Sequence, residues 1–327
     1  MKRIILLLVM GLLSSASLLW YESCLAQPSQ QEKFPNRPVT IIVSFGAGGS
    51  TDVAVRLFAK VAERKLGVPI LVSNKPGGGA TVGVTEVARS KPDGYTIGTL
   101  NIGTMTVTPW LQKVAYDPHK DFDYICGFGR FVYGLYAKAG SPFRSIKDVV
   151  ESARKNPGKV SYGSMSPSIA IGLKCVELQE NVKMTYIPLQ SGQETASMLV
   201  GGHIDLGIAT AIYQFVESKE VVLLAWFTEE RDPVQPDVPA MKELGYDIDL
   251  TGWMAFGAPA GVPKERLAIL YDAFKVASED AGVKATLEKL NLSAPYITGE
   301  EIKTIYRKKG TQWKPLIEAI LAEKTAK

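Results

Sequence analysis

The chain has 327 residues and a net charge of only +4: long enough for two ordinary domains, too weakly charged for a strongly basic nucleic-acid binder. Hydrophobic residues make up 46% and charged residues 21%, a globular composition that excludes a disordered chain. Two histidines, His119 and His203, and three cysteines leave no Cys/His set at zinc-binding spacing.

Met1-Lys2-Arg3 is a short positive start, and Ile4 to Leu13 is an apolar run broken only by Gly11. Serines dilute it, and Cys24-Leu25-Ala26 places small residues before a cut ahead of Gln27. This pattern predicts a cleavable signal peptide over residues 1–26, hence export to the periplasm. The run from Ile4 to Trp20 is 17 residues, at the short limit of a membrane span, and Tyr21-Glu22-Ser23 is a poor lipobox. The mature chain would carry +3, with Cys126 and Cys175 predicted as buried free thiols.

Alternating strands and helices follow. Val39–Val43 is a β-branched run, Thr51–Lys65 has apolar residues at helical spacing ending at Gly67, and Val68–Val72 is a second strand. Val82–Ser90 reads as a helix and Tyr95–Leu100 as a third strand, giving βαβαβ, the start of a mostly parallel sheet with helices on its faces. A second series starts at Ser145, with a capping-box-like helix, strands at Val160–Gly163, Met184–Pro188, Asp205–Ala209 and Val221–Phe227, and a helix at Ser168–Gln179. After Gly252 the pattern is mainly helical: Pro263–Asp280, Val283–Leu290, and a long helix opened by Thr298-Gly-Glu-Glu301. The C-terminal helices need a sheet to cover. The simplest packing returns them to the first unit, so the chain crosses between units near 125–137 and 247–256, as in domains that hinge shut on a ligand.

Glycine-rich loops at strand ends are the candidate site. Phe45-Gly-Ala-Gly-Gly-Ser-Thr-Asp52 joins the first strand to the first helix, where backbone can approach a ligand and free N–H groups suit a carboxylate or phosphate. Asn74-Lys-Pro-Gly-Gly-Gly-Ala80 takes the same place after the second strand, on the carboxyl edge where open α/β sheets bind ligands. Gly46-Ala-Gly-Gly-Ser-Thr51 meets only the first half of a dinucleotide fingerprint, and no phosphate-binding GxxxxGK[ST] occurs. There is no GxSxG; Ser164 has no assigned base, and His119 and His203 fall in polar turns.

Val43-Ser-Phe-Gly-Ala-Gly-Gly-Ser-Thr-Asp52 resembles the Pro-Phe-Pro-Ala-Gly-Gly-Gly-Thr-Asp segment of the tripartite tricarboxylate transporter receptors, also called the Bug or TctC family. Asn74-Lys-Pro-Gly-Gly-Gly79, Pro92-Asp-Gly-Tyr-Thr96, Tyr116-Asp-Pro-His-Lys-Asp-Phe122, Tyr162-Gly-Ser164, Gly201-Gly-His-Ile-Asp205 and Ala258-Pro-Ala-Gly-Val-Pro-Lys264 match in the same order. The resemblance implies a two-lobed periplasmic-binding-protein (Venus flytrap) fold with a two-strand hinge. Residues 27–130 and 250–327 would form lobe 1, and 131–249 lobe 2. It implies a monomeric receptor without enzymatic activity, cofactor, metal or nucleic acid. Its ligand would be a small carboxylate, delivered to a membrane permease of one large and one small subunit. By position, ligand contacts fall on Phe45, Ala47, Gly48, Gly49 and Asp52, on Gly78 of the second loop, and on Asn101, Gly103 and Thr104 after the third strand.

The second lobe departs from the pattern. Ser166 and Pro167 stand where the family has later glycines, and Pro188-Leu189-Gln190-Ser191 replaces Pro-Tyr-Lys-Gly. Ser164, Ser168 and Gln190 are the expected contacts there, and the neutral Gln190 argues against a lysine-paired second ligand carboxylate. One exposed helix-terminus contact contributes about 0.3–1 kcal/mol, whereas micromolar capture needs roughly 8 kcal/mol, so both lobes must close on the solute. Two alternatives stand beside transport: an exported sensor that presents solute to a two-component kinase, and an exported serine hydrolase using Ser164.

Overall fold

The computed structural model describes residues 33–325 apart from 211, 234, 291 and 293–295. The expected leader, 1–26, lies outside the described residues. From the amino end, β1 (Val39–Val43), α1 (Ser50–Leu66), β2 (Ile70–Asn74), α2 (Thr81–Arg89) and β3 (Thr96–Asn101) form the expected βαβαβ series. α1 buries Ala54, Val55, Phe58, Val61 and Ala62 on one face and stops at Gly67, whose left-handed backbone (φ 71) lets its N–H cap the Glu63 carbonyl. Because helix and cap extend this far, β2 starts at Ile70 rather than Val68.

Short helices α3 (Ile102–Thr106) and α4 (Thr108–Leu111) lead to β4 (Phe122–Phe131) and β5 (Gly134–Lys138). Next come α5 (Ile146–Lys155), β6 (Ser161–Ser164), α6 (Pro167–Glu180), β7 (Thr185–Pro188), α7 (Gly192–Val200), β8 (Leu206–Ala209), α8 (Tyr213–Glu217) and β9 (Val221–Trp226). Ser145 caps α5 by accepting the Asp148 N–H, as its sequence predicts. The carboxyl end holds β10 (Gly252–Pro259), α9 (Lys264–Glu279), α10 (Ala281–Lys289), β11 (Ile297–Thr298) and α11 (Gly299–Thr325). Thr298 and Glu301 cap α11 reciprocally, at 2.7 and 3.3 Å.

Two sheets result, in the orders β11-β4-β10-β3-β1-β2 and β7-β6-β8-β5-β9. Each has a parallel triplet, β2-β1-β3 and β7-β6-β8, and its remaining pairs are antiparallel. The sheets are therefore mixed, because β10 in the first and β5 in the second run back against the triplets. The stretch after Gly252 opens with the eight-residue β10 rather than with helix, and the first crossing lies within 131–134, after a ten-residue β4.

Strands from both ends of the chain share the first sheet, and an aromatic cluster binds them. Phe256 stacks on Phe128 at 4.2 Å between ring centroids and packs against Phe274 at 4.4 Å and Phe58 at 5.6 Å. The second sheet has its own core around Tyr136, Leu189, Leu199, Ile204 and Val221. α11 also fastens the second crossing: the Lys309 ammonium pairs with the Asp249 carboxylate, and the Trp313 indole N–H donates to the Asp249 carbonyl at 3.2 Å. Both described cysteines are free. Cys126 is buried and its thiol pushed up by burial, whereas Cys175 is only partly buried, contrary to the expectation of two buried thiols.

Candidate functional site

The carboxyl ends of the two parallel triplets face each other, so six loops converge. From the first sheet come 44–49, 75–80 and the Asn101 turn; from the second come 165–166, 189–191 and the stretch opened by Thr210. They touch across the gap. Gly46 N–H donates to the Gln190 carbonyl at 3.1 Å, and the Ser50 and Thr210 hydroxyls share a hydrogen bond of 2.9 Å. A Cβ on Gly79 would lie 2.6 Å from Pro167 Cδ, and one on Gly103 would collide with the Ser168 hydroxyl. The glycines of the first sheet are thus seats for the second.

The first loop is locked from within by Asp52. Its carboxylate is buried, accepts the Gly48 N–H at 2.9 Å and the Asn74 amide at 2.9 Å, and pairs with Arg56. Asn74 also donates to the Phe45 carbonyl at 3.1 Å, and Gly48 takes the left-handed backbone (φ 77) that the turn requires. Burial pushes the Asp52 carboxyl up, but the bonds from Arg56, Gly48 and Asn74 outweigh it and hold it below the ordinary carboxylate value. Such a group stabilises the fold above its unfolded pKa, and the contribution is lost as pH falls through the lower folded value. Asp52→Ala is expected to cost about 1–3 kcal/mol at neutral pH. The gap to wild type should shrink below about pH 4, which denaturant titrations at pH 7 and pH 3 will read.

Both α1 and α6 begin without a side-chain cap, at Gly49 and Ser166, so their amino ends point polar backbone into the site. Asn101 takes the opposite role at α3. Its Oδ1 accepts the Thr104 N–H at 2.9 Å, whereas its Nδ2 is buried without a hydrogen-bond partner among the described residues. Beside it the buried Ser166 and Ser168 hydroxyls share a bond of 2.8 Å. A cavity of about 20 Å³, room for about one water, lies between Asn101, Gly103 and Ser168 and the crossing residues Tyr133, Leu250 and Trp253.

The expected site residues divide accordingly. Gly49, Asn101, Gly103 and Ser168 line the meeting of the sheets, whereas Ala47 is exposed in the first loop. Phe45, Gly48 and Asp52 build the first loop. Thr104 is consumed by Asn101 and by Tyr116, whose hydroxyl donates to its carbonyl at 2.7 Å. Gly78 faces outward, its carbonyl accepting from Thr81 and Gln112, and Gly79 is the glycine that meets the second sheet. Ser164 donates to the Ser166 carbonyl at 2.9 Å, a bond that does not activate a nucleophile. Gln190 reaches the first loop through its carbonyl, while its residue is exposed. Sequence reasoning missed Ser50, Ser166, Ser191 and Thr210; only their positions mark them, Ser50 opening α1 and the others shortly after strand ends. His119 and His203 are exposed. Among the described residues no group of three or more His, Cys, Asp or Glu could hold a metal, and no helix is long and apolar enough to cross a membrane.

Two α/β sheets joined by two crossings, with uncapped helix ends and small polar loops turned toward each other, define a two-lobed solute-binding receptor. The chain belongs to the tripartite tricarboxylate transporter family receptors, whose model matches residues 54–321. It is 31% identical over 295 residues to a protein of the gbd 5′ region of Cupriavidus necator, covering 89% of this chain and 90% of that one. Among solved structures it resembles MatC from Rhodopseudomonas palustris with bound malate, at 25% identity and a TM-score of 0.82, covering 87% of this chain and 100% of that one. It also resembles the periplasmic binding protein BugD, at 27% identity and a TM-score of 0.80, covering 90% and 99%.

Proposed function

We propose that this chain is a periplasmic receptor that captures a small organic acid between its two lobes and delivers it to a tripartite tricarboxylate-type membrane permease. Lobe 1 is residues 27–130 and 250–327, and lobe 2 is 131–249. The observation that carries the reading is the Asn101 amide: a buried donor without a partner among the described residues, set beside Ser168 where the two sheets meet. A buried unpaired N–H costs about 1–3 kcal/mol, a cost that a ligand oxygen accepting from it would remove. Ala47 and Gly49 supply backbone amides, Ser166 and Ser168 supply hydroxyls, and Asp52, Gly48 and Thr104 hold the loops that present them. Gln190 and Ser191 close against the first loop through backbone and small side chain.

A carboxylate suits this donor-rich lining, and the malate bound to MatC supports that class of ligand. The exported sensor has no separate feature in its favour, and the hydrolase reading is opposed by the Ser164–Ser166 bond. Native mass spectrometry of protein purified without added ligand tests the proposal. A single bound carboxylic acid per chain is expected; a co-purified ligand lacking an acid group would overturn it.

A further inference from the structure

A larger cavity lies on the far side of α6, away from the converging loops. Its volume is about 350 Å³, the size of small-molecule sites generally. One wall comes from the second sheet and its surroundings: Ile171 of α6, Met184 just before β7, and the paired rings of Tyr162 and Tyr186, whose centroids are 5.5 Å apart. The other wall comes from the helices of the first sheet, Leu111 of α4 and Ile320 of α11, which pack on α6. The lining is therefore apolar and aromatic on two sides.

Its polar groups are few and unequal in sign. Glu177 is buried and already satisfied, accepting the Met184 N–H at 2.6 Å and pairing with Lys174 at 3.3 Å. Lys183 lines the same cavity, is exposed, and has no ion-pair partner among the described residues. The site therefore carries one uncompensated positive charge at the rim of an apolar, aromatic chamber. None of the expected solute-binding residues lines it; Pro167, which meets Gly79 across the gap, borders it from that side.

We infer that this chamber is a second ligand site, for a small carboxylate with an aromatic or branched apolar body. The carboxylate would sit at Lys183, and the body would lie against Tyr186, Ile171 and Met184. The reading is independent of the identity of the transported solute, since the two sites share no charged side chain.

Calorimetric titration of the full chain with phenylacetate tests it, alongside Lys183→Glu, Lys183→Met and Asn101→Asp. Expected is one phenylacetate bound per chain, weakened about tenfold or more by each Lys183 change and unaltered by Asn101→Asp. Circular dichroism and melting like wild type would show that the variants fold. No heat of binding up to the millimolar range, or binding that survives both Lys183 changes, would overturn the inference. So would binding that Asn101→Asp abolishes, because the acid would then occupy the transport site.

Discussion

Gly103→Val is expected to abolish solute binding while leaving both lobes folded. Gly103 lies in α3 with helical backbone, so valine meets no left-handed strain there. The obstacle is across the gap: a Cβ at this position would lie 2.7 Å from Ser168 Cβ, closer still to its hydroxyl, and 3.2 Å from Asn101 Oδ1. Valine adds two methyl groups beyond that Cβ, and a packed contact of this kind cannot absorb them. The lobes should stop short of closure, the second-lobe contacts should be lost, and affinity should fall at least about 100-fold, or roughly 3 kcal/mol. Small-angle scattering should show a protein that stays extended at ligand concentrations that saturate the wild type. Adding Ser168→Gly should restore part of the compaction without full affinity, since it removes the obstruction and a binding hydroxyl together. Wild-type affinity in Gly103→Val would mean that closure at this seat plays no part in binding.

Asn101→Asp tests the chemistry rather than the closure. The substitution is nearly isosteric, and one carboxylate oxygen can keep the Thr104 N–H that caps α3. What changes is the other atom: the buried, unpartnered Nδ2 donor becomes a negatively charged oxygen. Losing a hydrogen bond to a charged group costs about 1.5–3 kcal/mol, and two like charges at contact in a buried site add repulsion. Binding of a carboxylate should weaken about 30-fold or more in calorimetry, with thermal stability changed far less. An unchanged affinity would remove Asn101 from the site.

The glycine loops were legible because their chemistry is a matter of residue type. Glycine after a β-branched run and before an amphipathic helix has few other uses, and Phe45 to Gly49 form the loop so read, with α1 already opening at Ser50. The strands β4 and β10 were not legible. Gly127 and Gly129 interrupt the first and Gly252 and Gly257 the second, weakening any strand pattern. Their partners lie more than a hundred residues apart in sequence, as Phe256 opposite Cys126 illustrates. Gly127 is there because a Cβ would come 2.6 Å from Ile297, a tertiary contact no local pattern records.

Within the site the same division holds. Asn101 was readable as a turn residue before Gly103, but its orphaned amide exists only in three dimensions. Gly78 and Gly79 are equivalent letters in one run, and only the approach of Pro167 separates them. Gln190 reads from the sequence as a side-chain contact, whereas it meets Gly46 through its carbonyl, a contact that any residue at that position could make. Ser166 and Thr210 follow strands in loops whose composition also fits an ordinary turn.

The central claim is that one small organic acid is held between the two sheets by Asn101, Ser168 and the first glycine loop. Calorimetric titration of the full chain with a panel of linear mono-, di- and tricarboxylates, each paired with a scattering measurement, tests it most directly. The account predicts at least one acid that binds one per chain, makes the protein more compact, and loses both effects in Gly103→Val. Binding of an acid with unchanged dimensions and undiminished affinity in that variant would contradict it.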